Sequence, residues 1–162
     1  MMDRKELVVV APHLAAPCLA GRFVASSDLI KITDLAQTGI ASGVYTAAAC
    51  QELYDPAGLS WCGTGCGKCY QLTSTGSAPC QTCGEGGASG QSIIVMVTNL
   101  CPNNGNAQWC PTPGGKNQYG YQYHFDIMAQ SEVLGDNPVV NFEEVTCPSA
   151  ATSDYSQCQC AA

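Results

Sequence analysis

The run Tyr123-His124-Phe125-Asp126-Ile127 places one carboxyl between two apolar neighbours, directly after a long polar stretch. Poor hydration favours the protonated form of a carboxyl. A protonated carboxyl at a groove can donate its proton to a leaving group. Asp126 is therefore the residue singled out as a candidate acid; read structurally, it would cap a helix starting at Met128. His124 can orient that carboxyl, touch a substrate hydroxyl, or serve as a buried structural histidine. The other acids have plainer settings: Glu143 and Glu144 on a solvent face, Asp136 in a Gly-Asp-Asn-Pro turn, Glu85 in a Gly-rich loop. Tyr119, Tyr121 and Tyr123 alternate beside the acid, and Trp61 and Trp109 each adjoin a cysteine. Aromatic faces suit the C–H faces of sugar rings, and the amides of Asn99, Asn106, Asn117 and Gln118 suit sugar hydroxyls. The competing reading assigns these aromatics to core and disulfide packing. Neither a Ser-His-Asp nucleophile elbow nor a phosphate loop is recognisable.

Cysteines supply a second chemistry. Cys66-Gly-Lys-Cys69 and Cys80-Gln-Thr-Cys83 are two C-x2-C pairs ten residues apart, a spacing that would suit tetrahedral zinc. The chain holds 12 cysteines in 162 residues, eight more than one zinc would use. That density indicates a disulfide-stapled, secreted domain with no metal. The connectivity is not readable from spacing.

The elements that must position these groups follow from composition. A chain of 162 residues is one domain's worth. Charged residues make up 12% and hydrophobic ones 46%, which argues against extended disorder. The net charge of −7 repels nucleic acid and anionic membrane surfaces. No run of about 18 apolar residues could cross a bilayer. A composition shift divides the chain. Arg4 and Lys5 precede an apolar stretch from Leu7 to Ala20, followed by small residues at Val24-Ala25-Ser26, so residues 1–39 read as an atypical leader, in part a signal peptide or disordered. Residues 40–162 read as the folded domain, which is acidic and holds most of the cysteines. Ser26–Gln37 suits a short helix, as does Val44–Tyr54. Cys69–Thr75, Ser92–Thr98, His124–Ile127 and Val139–Val145 suit strands, Met128–Leu134 a helix, Gly84–Gly90 a turn, and residues 102–120 a long functional loop.

Several ordered motifs resemble the fungal endoglucanases of glycoside hydrolase family 45. They are Gly43-Val-Tyr-Thr-Ala-Ala48, the block from Trp61 to Tyr70, Val97-Thr-Asn-Leu-Cys-Pro102, Asn104-Gly-Asn-Ala-Gln-Trp-Cys110 and Asn117 through Ile127. The likeness runs from about Ile40 to Cys160. It implies a mainly β fold, a six-stranded double-psi β-barrel with short helices and long disulfide-stapled loops, shared with expansins. It implies a secreted, monomeric endo-β-1,4-glucanase acting with inversion on cellulose or a related β-glucan, without cofactor. It assigns the general acid to Asp126; on their side-chain chemistry, Asn99, Asn117, Tyr119 and His124 are the residues expected to bind the substrate.

The chain departs from that pattern at one point. Many family members carry a Thr-Arg-Tyr-aromatic-Asp motif near the mature N-terminus, whose Asp is the general base, and no such motif occurs here. One subgroup lacking this Asp is proposed to use a loop asparagine in its imidic-acid form; Asn106 matches that position, with Asn117 assisting. Weakened hydrolysis is one expectation. An expansin-like protein that loosens or binds cellulose without hydrolysis is the alternative.

Overall fold

The structure, a computed structural model, describes residues 6–10, 44–57, 63–127, 134–149 and 151. In chain order its elements are β1 (Glu6–Val10), β2 (Val44–Cys50), a single-turn helix α1 (Gln51–Tyr54), β3 (Cys69–Ser74), β4 (Ser92–Cys101), β5 (Tyr123–Ile127) and β6 (Val139–Val145). The strands close into a barrel in the order β1-β5-β2-β4-β3-β6. Two pairs are parallel, β1 with β5 and β2 with β4, and the other four are antiparallel. Closure removes the exposed strand edges that an open sheet would present.

The apolar run Ile93–Val97 predicts a strand buried on both faces, and β4 is that strand, extended to Cys101. Val95 and Val97 face the barrel interior with Ala47, Ala49, Leu72, Phe125 and Val140. Tyr70, Phe125 and Phe142 meet there edge-on or tilted, with ring centroids 5.3 to 5.9 Å apart. Fully burying each such side chain contributes roughly 1.5–3 kcal/mol. The expected strands at 69–75, 124–127 and 139–145 all form, with ends within one residue.

The expected helix over Val44–Tyr54 does not form as one element. Residues 44–50 are a strand, and only Gln51–Tyr54 is helical. Alanine favours helix by less than about 1 kcal/mol per residue. Hydrogen bonding to β4 and β5 on both sides, with near-complete burial, outweighs that preference. The expected helices at 26–37 and 128–134 fall on residues outside those described, Leu134 excepted. The start of the apolar N-terminal stretch, together with Glu6, is a barrel strand, Glu6–Val10, joining β5 to β6.

Disulfides tie the loops to the barrel. Cys69 pairs with Cys147, Cys80 with Cys83, and Cys101 with Cys110. Cys66 is also disulfide-bonded. All four cysteines of the two C-x2-C pairs are therefore oxidised, and the four thiolates of a zinc ribbon are not available. Among the described residues Cys50 holds a free thiol, buried, and burial pushes its ionisation up. The Gly-rich turn lets backbones touch: a Cβ at Gly87 would lie 1.6 Å from the Leu134 carbonyl oxygen.

Candidate active site

Strand alternation sorts β5 into two faces. Phe125 and Ile127 enter the core, while His124 and Asp126 project to the other side. Asp126 stands between two neighbouring strands, in register with Val10 of β1 and Ala48 of β2. A bulge in the β2–β4 ladder moves the pairing from Ala47↔Val97 to Ala48↔Asn99. Bulges re-aim side chains near functional sites. Beyond it, Ala48 packs with the Cys101–Cys110 disulfide and Trp109.

The carboxyl is held from two directions. His124 Nε2 lies 2.7 Å from Oδ1 of Asp126. His124 is fully enclosed, whereas 17% of the Asp126 side chain is exposed. His124 Nδ1 is buried with no hydrogen-bond partner. Nε2 is thus the ring nitrogen that meets the acid, and in the tautomer that carries its proton there it donates to Asp126 Oδ1. On the other side Oδ2 of Asp126 is 3.1 Å from Cys101 Sγ. That sulfur is in a disulfide and has no proton to donate.

The loop from Pro102 to Gln122 overhangs this carboxyl and is tied down at several points. Asn103 Nδ2 donates to the Cys110 carbonyl at 2.8 Å. The Asn106 carbonyl accepts from the amides of Trp109 and Cys110 at 3.0 and 2.8 Å. The Gly114 amide donates to Glu52 Oε2 of α1 at 2.8 Å. Asn117 is buried, and its Oδ1 accepts from the Tyr119 and Tyr121 amides while Nδ2 donates to the Trp109 carbonyl. Tyr119 lies against Trp109 with centroids 4.5 Å apart, and Gln108 Nε2 donates to the Tyr119 hydroxyl. Trp109 is in turn 6.2 Å from His124. A half-exposed aromatic surface thus leads from Tyr119 through Trp109 to the acid.

Of the residues singled out from the sequence, Asp126, His124 and Tyr119 come together, joined by Trp109. Asn106 sits in the turn just before Cys110, half-buried. Asn117 spends its amide on the loop. Asn99 is buried beside the bulge, its Oδ1 accepting from the Leu100 amide at 2.8 Å. Tyr123 packs against Phe142 at 5.2 Å. Trp61 lies outside the described residues. The disulfide against Asp126 and the small Ala48 were not singled out, because both contacts are made between strands distant in sequence.

The donor atoms of Cys101, Cys110, His124 and Asp126 lie within 4.8 Å of one another, close enough to surround a metal ion. The chemistry does not fit. Both sulfurs are bonded to each other, and thiolates are what a metal would require.

A family model described as EXPB1-like domain 1 matches residues 23–161. The endoglucanase-5 of Hypocrea jecorina is 73% identical over 124 residues, covering 76% of this chain and 51% of that protein. The chain thus spans about half the length of that relative. An endoglucanase of Mytilus edulis is 40% identical over 144 residues, 78% of each chain. In three dimensions the chain is similar to a GH45 endoglucanase crystallised at pH 8.0 with cellobiose. The TM-score is 0.75 at 29% identity, covering 99% of this chain and 91% of that one.

Proposed function

The chain belongs to the glycoside hydrolase family 45 endoglucanases, and from that membership we propose that it hydrolyses internal β-1,4-glucosidic bonds of cellulose or a related β-glucan, with inversion. The observation that carries the reading is the mostly buried but solvent-reachable Asp126 carboxyl, fixed by His124 at the end of the Tyr119–Trp109 surface. The barrel that presents it is taken as the double-psi type. The disulfides accord with a secreted protein. The protein acts as a monomer.

In the reaction Asp126 gives its proton to the glycosidic oxygen as the C1–O bond breaks. Water attacks C1 from the opposite face, so the configuration inverts. Such attack needs a proton acceptor about 6.5–9.5 Å from the acid. Asn106 takes that role in its imidic-acid form, whose nitrogen accepts the proton of water. Its turn is supported by the Trp109 and Cys110 amides and adjoins the disulfide that touches Asp126. Asn117 assists by holding the loop, and Tyr119 lines the groove, whereas Asn99 and His124, expected to line it, are buried, and His124 acts through Asp126. The sugar rings lie on the aromatic faces.

The experiment compares reducing-end release from carboxymethylcellulose by the wild type and Asp126→Asn. Loss of a general acid costs about 10²–10⁴-fold. Equal release by both proteins would remove Asp126 from the mechanism. A second reading, non-hydrolytic loosening of cellulose, is favoured by the EXPB1-like match over residues 23–161. It requires that cellulose fibres weaken while no reducing ends appear.

A further inference from the structure

We propose that the Cys101–Cys110 disulfide is a positioning element of the acid, with the Cys101 sulfur as the resting partner of the proton on Asp126 Oδ2. The inference rests on Asp126 being the general acid and deepens that reading. Oδ1 is engaged by His124 Nε2 at 2.7 Å, and we take that nitrogen as the donor. The proton available for transfer is then assigned to Oδ2. Oδ2 faces Cys101 Sγ at 3.1 Å. A bare oxygen and a disulfide sulfur both present lone pairs at that distance, so the contact is favourable when Oδ2 carries a proton directed at the sulfur. Sulfur is a weak acceptor. It orients the O–H without holding it, and a glycosidic oxygen entering the groove competes easily. Ala48, across the ladder from Asp126, has no polar side-chain atom to take the sulfur's place.

The same bridge fixes the sulfur in space. Cys101 ends β4, and Cys110 is tied to the Asn106 carbonyl, so acid and overhanging loop share one anchor. This disulfide thus differs in kind from Cys80–Cys83, which closes a local turn of three residues' separation.

The test uses leaving groups. Cellohexaose needs its departing oxygen protonated, whereas 2,4-dinitrophenyl β-cellotrioside does not. The double variant C101A/C110A is expected to lose about tenfold or more in kcat on cellohexaose, keep KM within about twofold, and lose under about threefold on the dinitrophenyl substrate. Equal losses on both substrates, or wild-type kcat on both, would overturn the proposal. Asp126→Ala is run in parallel. If it keeps the full cellohexaose rate, the acid assignment itself fails. If it shows the leaving-group dependence and C101A/C110A does not, only the role of the disulfide fails. Should C101A/C110A not fold, C101V/C110A refills the lost volume without sulfur and is read the same way. Failure of both to fold assigns the bridge to the fold alone and overturns the proposal.

Discussion

The side chain of Asn117 carries the backbone of Trp109: its Nδ2 donates to the Trp109 carbonyl at 3.0 Å, and its Oδ1 takes the amides of Tyr119 and Tyr121. One carbonyl and two N–H donors around a single amide leave only one orientation for it. Both rings of the aromatic surface therefore depend on one buried polar residue. Removing it strands three backbone groups, so Asn117→Ala should cost about 3 kcal/mol. At about 2–4 °C per kcal/mol for a chain this size, the melting temperature should fall by roughly 6–12 °C. Asn117→Asp keeps the two accepted bonds and should lose less. Thermal unfolding by circular dichroism checks both.

His124 makes a different kind of contact, one aimed at the acid. His124→Ala removes the Oδ1 donor and leaves a cavity in an enclosed site, for about 2–4 kcal/mol of destabilisation. His124→Gln, which can still reach Oδ1 with an N–H, should recover part of kcat on carboxymethylcellulose. Equal kcat in the two variants would show that His124 merely packs.

Disulfides of unequal span should differ in worth. Cys69–Cys147 closes 78 residues and Cys80–Cys83 only three. The chain-entropy relation assigns about 4.5 kcal/mol to the first and about 1.6 kcal/mol to the second. Guanidinium unfolding of C69A/C147A and C80A/C83A should rank them in that order.

Tyr70 makes stability fall in alkali. Burial first, then the charges of Glu144 and Cys50, push its phenol up to about 12. In the unfolded chain the phenol ionises near pH 10. Between those values the unfolded state binds fewer protons than the folded one, so stability declines as pH rises. The contribution is intact below about pH 10 and lost through about pH 12, at about 1.4 kcal/mol per unit. Tyr70→Phe should flatten the decline between pH 10 and 11.5, followed by urea unfolding at each pH. An unchanged slope would rule Tyr70 out as its source.

What could be read along the chain was local. Ile93–Val97 is apolar on both faces and is the buried strand it promised to be. The alternating Val139–Val145 begins and ends where its pattern does. Asp126 stood out because its neighbours are apolar, and the density of cysteines announced disulfides. Hydrophobic period and composition act over a few residues, and these features need no more.

Tertiary contact decided the rest. Residues 44–50 carry an alanine run compatible with helix, and became a strand only because β4 and β5 offered hydrogen bonds on both sides. The hydrophobic N-terminal stretch supplied β1 because barrel closure between β5 and β6 had a place for it. That Cys69 pairs with Cys147, and that a disulfide sulfur faces Asp126 Oδ2, depend on segments separated by 25 residues or more being brought side by side. Contacts across a closed sheet are set by register and packing in space, and no sequence window contains both partners.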